Sequence, residues 1–557
     1  MAFIVKKKIS GREYYYLNEN KRIDGKVKTK TLAYLGKNKK EAEKMSKKII
    51  RDLADEKINK VEEKINVVTK MEKQKISIDD LSAFCKRKGF VYPSGDIYGG
   101  LAGFWDFGAL GVEFKNNIKR EWWNFHVRKR EDIEGIDGSI ITNPRVWEAS
   151  GHVGGFVDVA VVCKKCGNKS KVDKHELGIA RCEKCSGEFE GKGEFNPMFT
   201  TSVGPIASDS VKAYLRPETA QLIFSNFKSV YDSARMKLPC GIAQIGKAFR
   251  NEIAPRDFIF RSREFEQMEI EYFVNPLSNS CPYEIPDVEI FIYSEEMQKK
   301  KSEPLKMKVK DALAKKIIKK DWHAYWLATE FSWFMSLGAN PDNFRARQHF
   351  TEELSHYSSD TWDLEYNFPF GWKELQGIAD RGDYDLSQHE KFSKKDFKIF
   401  DEVSKEKVLP EVVCEPSLGV ERAFIVFMLD AYFYDKEREN VLLKLNPKLS
   451  PVKAAVFPIV KKPEFEKICE DICRDLRSEW NVVYDKSGSI GRRYSRNDEI
   501  GTPFCITIDE ESLKEGDVTI RDRDSKRQSR VKVSDLKDKL RSLIDGEIDF
   551  GKVGRAI

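Results

Sequence analysis

The sequence predicts a mixed α/β (α+β) fold divided among several domains, and three observations lead to this prediction. Residues 240–273 read as a strand, an irregular loop and a second strand. Residues 302–350 space their apolar side chains mostly as helices do. After Pro451, β-rich stretches alternate with a helix that runs through Trp480. At roughly 150 residues per domain, a chain of 557 residues has room for about three or four domains.

The first 70 residues differ from the rest of the chain. Residues 1–37 are rich in β-forming residues, residues 38–65 have the apolar spacing of a helix, and residues 66–76 read as a linker. Residues 1–70 carry 20 Lys and Arg against 10 Asp and Glu, whereas the whole chain has a net charge of +7. We therefore expect a basic β-plus-helix appendage that contacts RNA. A lysine-rich solubilising tail and a protein-docking module are the alternatives.

The composition indicates the cellular location of the protein. No apolar run approaches the ~20 residues that a membrane-spanning helix needs. The apolar stretch at the start is too short for a signal peptide. These features predict a cytoplasmic protein with no membrane partner.

Four of the eleven cysteines form two Cys-x-x-Cys pairs separated by fifteen residues. Four thiolates at this spacing are typical of a closed, structural zinc site in a zinc ribbon, which we place at about residues 160–190. The expected zinc ligands are Cys163, Cys166, Cys182 and Cys185. The remaining cysteines read as small core residues.

The hairpin at residues 240–273 carries candidate nucleotide-binding side chains. Alternate residues of a strand share a face, so Arg250 and Glu252 point one way, as do Arg261, Arg263 and Phe265 across the hairpin. Guanidinium groups bind phosphate and an aromatic ring stacks on adenine. The alternative for this segment alone is a salt-bridged surface hairpin.

Three further segments accompany the hairpin in a fixed order: LRPETAQ (215–221), ELQGIADRGDYD (374–385) and CEPSLGVERAF (414–424). Together with GSIGRRYSRNDEIGTPF (488–504), they resemble the class II aminoacyl-tRNA synthetases, and among them the glycyl-tRNA synthetase family of the dimeric, archaeal/eukaryotic-like type. The resemblance covers about residue 77 to the C-terminus. One departure is Ala109, where the first motif of the family usually has a proline, and this residue bears on the geometry of the expected dimer.

The resemblance implies an antiparallel sheet flanked by helices at residues 77–450, with ATP bound on the sheet together with Mg²⁺. Arg250 would hold the α-phosphate, Phe265 would stack on adenine opposite Arg422, and Glu374 would bind the magnesium ion. It assigns catalysis to Arg250, Glu252 and Arg422. The ATP-binding set is Arg250, Asn251, Glu252, Phe260, Arg261, Arg263, Phe265, Glu374, Leu375, Arg381, Gly419 and Arg422.

Glycine offers no side chain to grip, so its selection requires a pocket that excludes larger residues. An acidic, filled pocket would bind the α-ammonium group and leave no room for a Cβ atom. The resemblance assigns this pocket to Glu218, Gln267, Glu269, Glu415 and Ser417. The alternative for each glutamate alone is a structural salt bridge.

The resemblance also implies the partners: tRNA(Gly), glycine, ATP and a second copy of the chain, without DNA. Residues 451–557 resemble the anticodon-binding domain of this group. Arg492, Arg493, Arg496 and the run at 521–530 are its candidate RNA contacts, with a solvated charged edge as the alternative for that run.

Two other functions compete with this interpretation. A synthetase-like regulator would bind tRNA without charging it, but such copies normally lose the motif arginines that Arg250 and Arg422 represent here. An enzyme for serine, threonine or proline would keep the fold, but it is disfavoured by the three glutamates.

Overall fold

The computed structural model describes residues 2–9, 12–23, 26–36, 38, 45–46, 76–155, 158–172, 178–182, 184–355 and 357–557. The chain divides into two compact units, Met1–Gln74 and Lys75–Ile557. The helix expected at 38–65 and the linker expected at 66–76 lie almost entirely outside the described residues. Within the described part of the chain, none of the helices combines the length and the hydropathy needed to cross a bilayer.

The first unit contains an antiparallel sheet of three strands, β1 (Ala2–Ile9), β2 (Arg12–Ile23) and β3 (Lys26–Gly36). This confirms the β-rich interpretation of residues 1–37. Tyr15, Leu17 and Leu35 form its buried apolar cluster.

The second unit opens with helices that pack against a large sheet. Its first elements are α1 (Ile78–Lys88), β4 (Val91–Pro93), β5 (Trp105–Phe107), α2 (Ala109–Trp123), β6 (Ile133–Ile136), α3 (Arg145–Ala149) and α4 (His152–Gly155). Helix α2 begins at Ala109 and crosses closely over Phe90 at Gly111. A Cβ atom added at Gly111 would lie 1.8 Å from the Phe90 carbonyl oxygen, so only glycine fits there.

The cysteine-bearing segment forms a small sheet in the order β8-β7-β9, as the spacing predicts for a ribbon. The strands are β7 (Asp158–Cys163), β8 (Lys169–Val172) and β9 (Phe189–Phe195).

A nine-stranded sheet organises the middle of the chain, in the order β15-β14-β16-β17-β18-β21-β13-β12-β6. The elements from residue 200 to 300 are β10 (Thr200–Val203), β11 (Val211–Tyr214), α5 (Ala220–Ala234), β12 (Cys240–Phe249), β13 (Glu264–Val274), β14 (Glu289–Tyr293) and α6 (Glu295–Lys299). From residue 305 to 368 they are β15 (Leu305–Lys308), α7 (Val309–Ala314), α8 (Asp321–Ser336), β16 (Phe344–Gln348) and β17 (Asp360–Phe368). From residue 371 to 443 they are β18 (Gly371–Asp380), α9 (Tyr384–Ser393), β19 (Ile399–Asp401), β20 (Glu406–Val408), β21 (Glu411–Gly419), α10 (Val420–Ala431), β22 (Tyr432–Asp435) and β23 (Asn440–Leu443).

Pairing in this sheet is antiparallel except for β6 with β12 and β14 with β16. The centre of the sheet therefore has the expected antiparallel arrangement. The mostly helical interpretation of residues 302–350 holds for α7 and α8 but misses β15 and β16, whose four and five residues are too short for periodicity to reveal. Helix α8 is buried along nearly its whole length, because aromatic residues such as Trp322, Trp326 and Trp333 pack on all its sides.

The C-terminal part of the chain has a six-stranded sheet, in the order β25-β24-β26-β27-β28-β29, and its own apolar core. Its elements are β24 (Ala454–Pro458), α11 (Pro463–Leu476), β25 (Val482–Tyr484), α12 (Ile490–Glu499), β26 (Phe504–Ile508), α13 (Glu510–Glu515), β27 (Asp517–Asp522), β28 (Gln528–Lys532), α14 (Leu536–Asp545) and β29 (Arg555–Ala556). The strands expected after Pro451 are confirmed, whereas the helix expected to run through Trp480 ends at Leu476.

A buried carboxylate joins this C-terminal part to the preceding segment. Asp498 accepts hydrogen bonds from Arg521 on β27 at 2.9 and 3.0 Å, and from Arg438, between β22 and β23, at 2.8 Å. Arg523 donates to the Leu445 carbonyl oxygen at 2.8 Å. Asp498 and Arg523 are both buried, so these contacts are shielded from solvent.

Candidate active site

A cavity of about 160 Å³ opens on the central strands, at the loop between β12 and β13. The loop begins at Arg250, directly after the end of β12, and the first turn of α10 contributes Arg422 from the opposite side. The residues expected from the sequence that line the cavity are Arg250, Glu252, Phe260, Arg261, Phe265, Gln267, Glu374, Ser417, Gly419 and Arg422. The fold thus brings together side chains that lie up to about 170 residues apart in the chain.

The hairpin side of the cavity is held by arginines. Arg261 donates to the Glu252 carboxylate at 2.6 and 2.9 Å, which fixes both walls of the loop. The Arg250 Nε donates to the Pro217 carbonyl oxygen at 2.9 Å, and its guanidinium lies 5.5 Å from the Phe265 ring centroid. Arg250 is therefore oriented by its Nε, while the rest of the guanidinium faces the cavity beside an aromatic ring.

The opposite side of the cavity carries Arg422 and Glu374. The Arg422 Nη1 donates to the Glu374 Oε1 at 3.0 Å and to the Glu374 carbonyl oxygen at 2.9 Å. Its guanidinium lies over Phe260, 4.7 Å from the ring centroid, rather than over Phe265. Phe260 comes close because a short 3-10 turn, Phe258–Phe260, folds the hairpin loop back towards α10.

Behind Glu374 lies a histidine–carboxylate pair that sequence reasoning did not identify. The His349 Nε2 lies 2.7 Å from the Asp363 Oδ2. Burial opposes protonation of His349, but the Asp363 hydrogen bond and charge outweigh it and raise the pKa of the imidazole. Burial, with the nearby Glu374 charge, raises the pKa of Asp363 to about 6.

A cluster of buried glutamates borders the cavity at the centre of the sheet. Glu269 and Glu271 share one face of β13, and Glu415 lies on β21 next to it. Carboxylate oxygens of these three residues lie within 4.8 Å of one another. Glu218, just before α5, is buried in the same region.

The partners of these carboxylates differ. Glu269 accepts from the Ser417 hydroxyl at 2.6 Å and from the Thr219 hydroxyl. Glu218 accepts from Gln221 at 3.1 Å and lies 3.3 Å from the His152 Nε2. Both are therefore oriented by neighbours.

Glu415 is held by a buried arginine. Arg381 donates to both oxygens of Glu415, at 2.9 and 3.0 Å, and to both oxygens of Asp385, at 2.8 and 3.0 Å. Tyr357 lies over the guanidinium, with its ring centroid 3.7 Å away. Arg381 is 2% exposed, so its charge is neutralised entirely within the protein.

The surroundings of Glu218 and Glu271 shift the pKa values of their carboxyl groups in opposite directions. Burial favours the neutral form of Glu218, but the adjacent His152 outweighs it and lowers the pKa of Glu218. Among the residues that the structure describes, neither carboxylate oxygen of Glu271 has a hydrogen-bond partner, and burial, with the Glu415 charge, raises the pKa of Glu271 well above the ordinary value. Glu218 is thus ionised at neutral pH, whereas the protein environment favours the neutral form of Glu271.

The four expected zinc ligands converge in the ribbon. The Cys163 and Cys185 sulfurs are 3.5 Å apart, and those of Cys166 and Cys182 are 3.6 Å apart. All four sulfurs lie within 4.8 Å of one another. With Zn–S bonds of about 2.3 Å, tetrahedral ligands would be about 3.8 Å apart, so the cluster fits a zinc ion.

Curated relatives match this chain over most of its length. A glycine–tRNA ligase of Thermobifida fusca is 43% identical over 496 residues, which cover 84% of this chain and 98% of that protein. The chain belongs to the glycine–tRNA ligase family. Glycine–tRNA ligases of Geobacillus kaustophilus (43% identical, 83% of this chain, 98% of that protein) and Borreliella burgdorferi (41%, 86% and 100%) agree.

Two family descriptions match parts of the chain. The anticodon binding domain matches residues 453–543 of this glycine–tRNA ligase family member. The N-terminal domain of the IS1634 family transposases matches residues 4–66. The N-terminal unit is thus similar to a domain of a different kind of protein.

Some residues expected at the site lie outside the cavity lining. They are Asn251, Arg263, Leu375 and Arg381, together with Glu218, Glu269 and Glu415 of the expected glycine pocket. Arg263 instead donates to the Glu252 carbonyl oxygen at 2.9 Å and to the Ala102 carbonyl oxygen at 3.0 Å. Sequence reasoning missed Glu271 and Asp385. The two-residue spacing from Glu269 was a usable signal for Glu271, whereas Asp385 had none.

The C-terminal arginines require a correction. Arg493, Arg521, Arg523 and Arg530 were expected to contact RNA, but all four are buried. Arg530, for example, donates to Asp517 at 2.6 Å and to Asp509 at 2.5 Å. Of the arginines expected from the sequence, Arg492 and Arg496 remain exposed on α12, and so does Arg527 of the run.

Proposed function

We infer that this chain is a glycine–tRNA ligase, which joins glycine to tRNA(Gly) at the expense of ATP through a glycyl-adenylate, releasing pyrophosphate and then AMP. The observation that carries the mechanism is one cavity in which Arg250 and Arg422 face each other beside buried glutamates. Two arginines, aromatic rings and a carboxylate suit ATP, and the acidic cluster suits the ammonium group of an amino acid.

In the first step, Arg250 binds the α-phosphate of ATP. The glycine carboxylate attacks this phosphorus in line, a P–O bond forms, and the bond to the pyrophosphate oxygen breaks. The Arg250 guanidinium stabilises the negative charge that develops on the phosphate oxygens. Its Nε is already bonded to Pro217, so little reorganisation is needed.

We assign adenine stacking to Phe265, whereas Phe260 packs against the guanidinium of Arg422, which we assign to the γ-phosphate. Glu374, at the mouth of the cavity, is the carboxylate that would hold Mg²⁺. Bound Mg²⁺ would neutralise phosphate charge as pyrophosphate leaves.

We assign glycine binding to Glu218, Glu269, Glu415 and Ser417, with Gln267 beside them. The ionised Glu218 is the acceptor for the α-ammonium group, while Ser417 holds Glu269 in place. We reassign Arg381 from ATP to the positioning of Glu415, since both edges of its guanidinium are occupied by carboxylates. The filled, charged walls exclude a Cβ atom.

In the second step, the 3′-hydroxyl of the terminal adenosine of tRNA attacks the glycyl carbonyl carbon, and AMP leaves. Exposed Arg492, Arg496 and Arg527 are the arginines that we assign to the anticodon end. Zinc in the Cys163, Cys166, Cys182 and Cys185 cluster would be structural, because four thiolates leave no open position. A cytoplasmic location accompanies this activity.

A homodimer is also part of this proposal. Between β4 and β5, Ile97 is 87% exposed, Tyr98 89% and Leu101 62%. Clustered apolar exposure of this kind marks a protein interface. Tyr98→Asp should lower the molar mass measured by light scattering from two chains to one, and an unchanged mass would exclude this segment as the interface.

The proposed function is tested by ATP–pyrophosphate exchange with each amino acid in turn. Glycine alone should support exchange, and Arg250→Ala should slow it by about a hundredfold or more. Exposed Arg128, whose side chain donates only to Asn124 within the described part of the chain, provides the matched control, Arg128→Ala. Exchange with another amino acid would refute the glutamate pocket, and no exchange with any would favour a regulator that binds without charging.

A further inference from the structure

One face of the N-terminal sheet combines aromatic rings in a row across the strands. Tyr16 on β2 pairs with Val5 on β1 and with Tyr34 on β3, so the three side chains lie side by side. The ring centroids of Tyr16 and Tyr34 are 5.3 Å apart, and Tyr34 is 48% exposed. This pair of tyrosine rings, one half-buried and one exposed, is a surface on which planar groups can stack.

The same face carries a positive charge next to the rings. Lys7 lies two residues after Val5 and therefore on the same side of β1. Its Nζ lies 5.2 Å from the centroid of the Tyr16 ring. An ammonium group beside a stacking ring is suited to the phosphate of a nucleotide whose base lies on the ring.

A buried acceptor adds an independent observation. Asn18 follows Tyr16 by two residues on β2 and thus shares its face. It is 7% exposed, and in the part of the chain that the structure describes its Oδ1 has no hydrogen-bond partner. Leaving such a group unpaired is costly, so a ligand donor would stabilise it. A base amino group or a ribose 2′-hydroxyl is such a donor.

The buried core of the sheet lies on its other face. Tyr15, Leu17 and Leu35 form the buried cluster, and Tyr15 and Leu17 alternate with Tyr16 and Asn18 along β2. The aromatic face is therefore the side of the sheet opposite this buried cluster. The basic excess of residues 1–70 indicates a polyanion rather than a neutral protein surface.

We propose that the face formed by Lys7, Tyr16, Asn18 and Tyr34 binds unpaired nucleotides of tRNA. The choice of tRNA rests on the proposed function, while the chemistry of recognition rests on the face itself. Stacking on Tyr16 and Tyr34 supplies affinity that tolerates any base, Lys7 binds the backbone, and the Asn18 Oδ1 accepts from the nucleotide.

The test measures binding of a fluorescently labelled tRNA(Gly) transcript to the full chain at several salt concentrations. Tyr34→Ala should weaken binding about fivefold or more, whereas Tyr34→Phe should retain it, because the ring is kept. Lys7→Ala should lower the slope of log Kd against log salt by about 0.7. Lys8→Ala is the matched control, since it removes the same charge from the opposite face of β1 and should change the slope less.

Equal effects of Lys7→Ala and Lys8→Ala would overturn the proposal in favour of diffuse charge. Equal binding by Tyr34→Ala and Tyr34→Phe would overturn the stacking role, and unaltered tRNA binding by every variant would leave protein docking as the role of this unit. The lysine pair keeps the test decisive even where Tyr34→Ala perturbs the sheet. ATP–pyrophosphate exchange, which uses no tRNA, reports separately on the proposed function.

Discussion

Replacing Arg381 by methionine should destabilise the second unit strongly. Arg381 neutralises Asp385 with two hydrogen bonds of 2.8 and 3.0 Å, and both side chains are 2% exposed. Removing one partner of a buried ion pair leaves the other charge without compensation, which costs about 3–5 kcal/mol. Substitution of an exposed arginine changes stability by no more than about 0.5 kcal/mol, so Arg474→Met, at a side chain that is 76% exposed, serves as the control.

The second arm separates the charge effect from lost packing. Asp385→Asn in the Arg381→Met background removes one of the two carboxylates that Arg381 contacts, the other being Glu415, and should recover about 1–3 kcal/mol. Urea unfolding followed by tryptophan fluorescence measures the differences as shifts in midpoint. A cost below about 1 kcal/mol for Arg381→Met, or a double variant no more stable than Arg381→Met, would refute the argument that this pair holds the site together.

Three further predictions concern other parts of the second unit. Gly111→Ala should lower the free energy of unfolding by about 1–3 kcal/mol or more, because the new Cβ meets the Phe90 carbonyl, whereas Gly154→Ala, where nothing lies within 4 Å, should change it little. Because burial raises the folded-state pKa of Glu271, its contribution to stability is complete below the unfolded pKa of about 4.3 and is lost as pH rises towards the folded value. Glu271→Gln should therefore flatten the fall of stability with rising pH in unfolding curves, and an unchanged pH profile would contradict this. The purified chain should contain one zinc ion, measured with a metal-binding dye, and a chelator should expose residues 158–195 to protease; a metal-free ribbon that resists protease would contradict the zinc assignment.

The sequence predicted the strands of the hairpin well, because their alternation and their flanking motifs are local. It also predicted that Arg250, Phe265, Glu374 and Arg422 would meet, through the order of the motifs. Their packing was not predictable: Arg422 lies over Phe260 because of a turn in the hairpin loop. The direction of that turn depends on contacts with α10, and the spacing of apolar residues along the sequence carries no information about those contacts.

Charge proved a poor guide to exposure in the C-terminal part. Arg521 and Arg523 lie in a run that reads as a solvated edge or an RNA contact, yet both are buried. Arg521 donates to Asp498, and Arg523 donates to the carbonyl oxygens of Gly501 and Leu445, all remote in sequence, as well as to the adjacent Asp524. The burial of such an arginine cannot be predicted from the sequence, because the fold brings most of its acceptors to it.

The ion pairs of Asp498 also fix a distance within the second unit. Arg438 and Arg521 both form ion pairs with Asp498. Moving α12 and β27 away from the β22–β23 segment would therefore leave a buried charge without its partner, which is costly. The distance between the exposed arginines of α12 and the cavity at Arg250 is therefore fixed by the fold and does not adjust to an RNA. In the proposed complex, a tRNA whose anticodon stem is lengthened by a base pair or two should therefore reach either the arginines of α12 or the cavity, but not both.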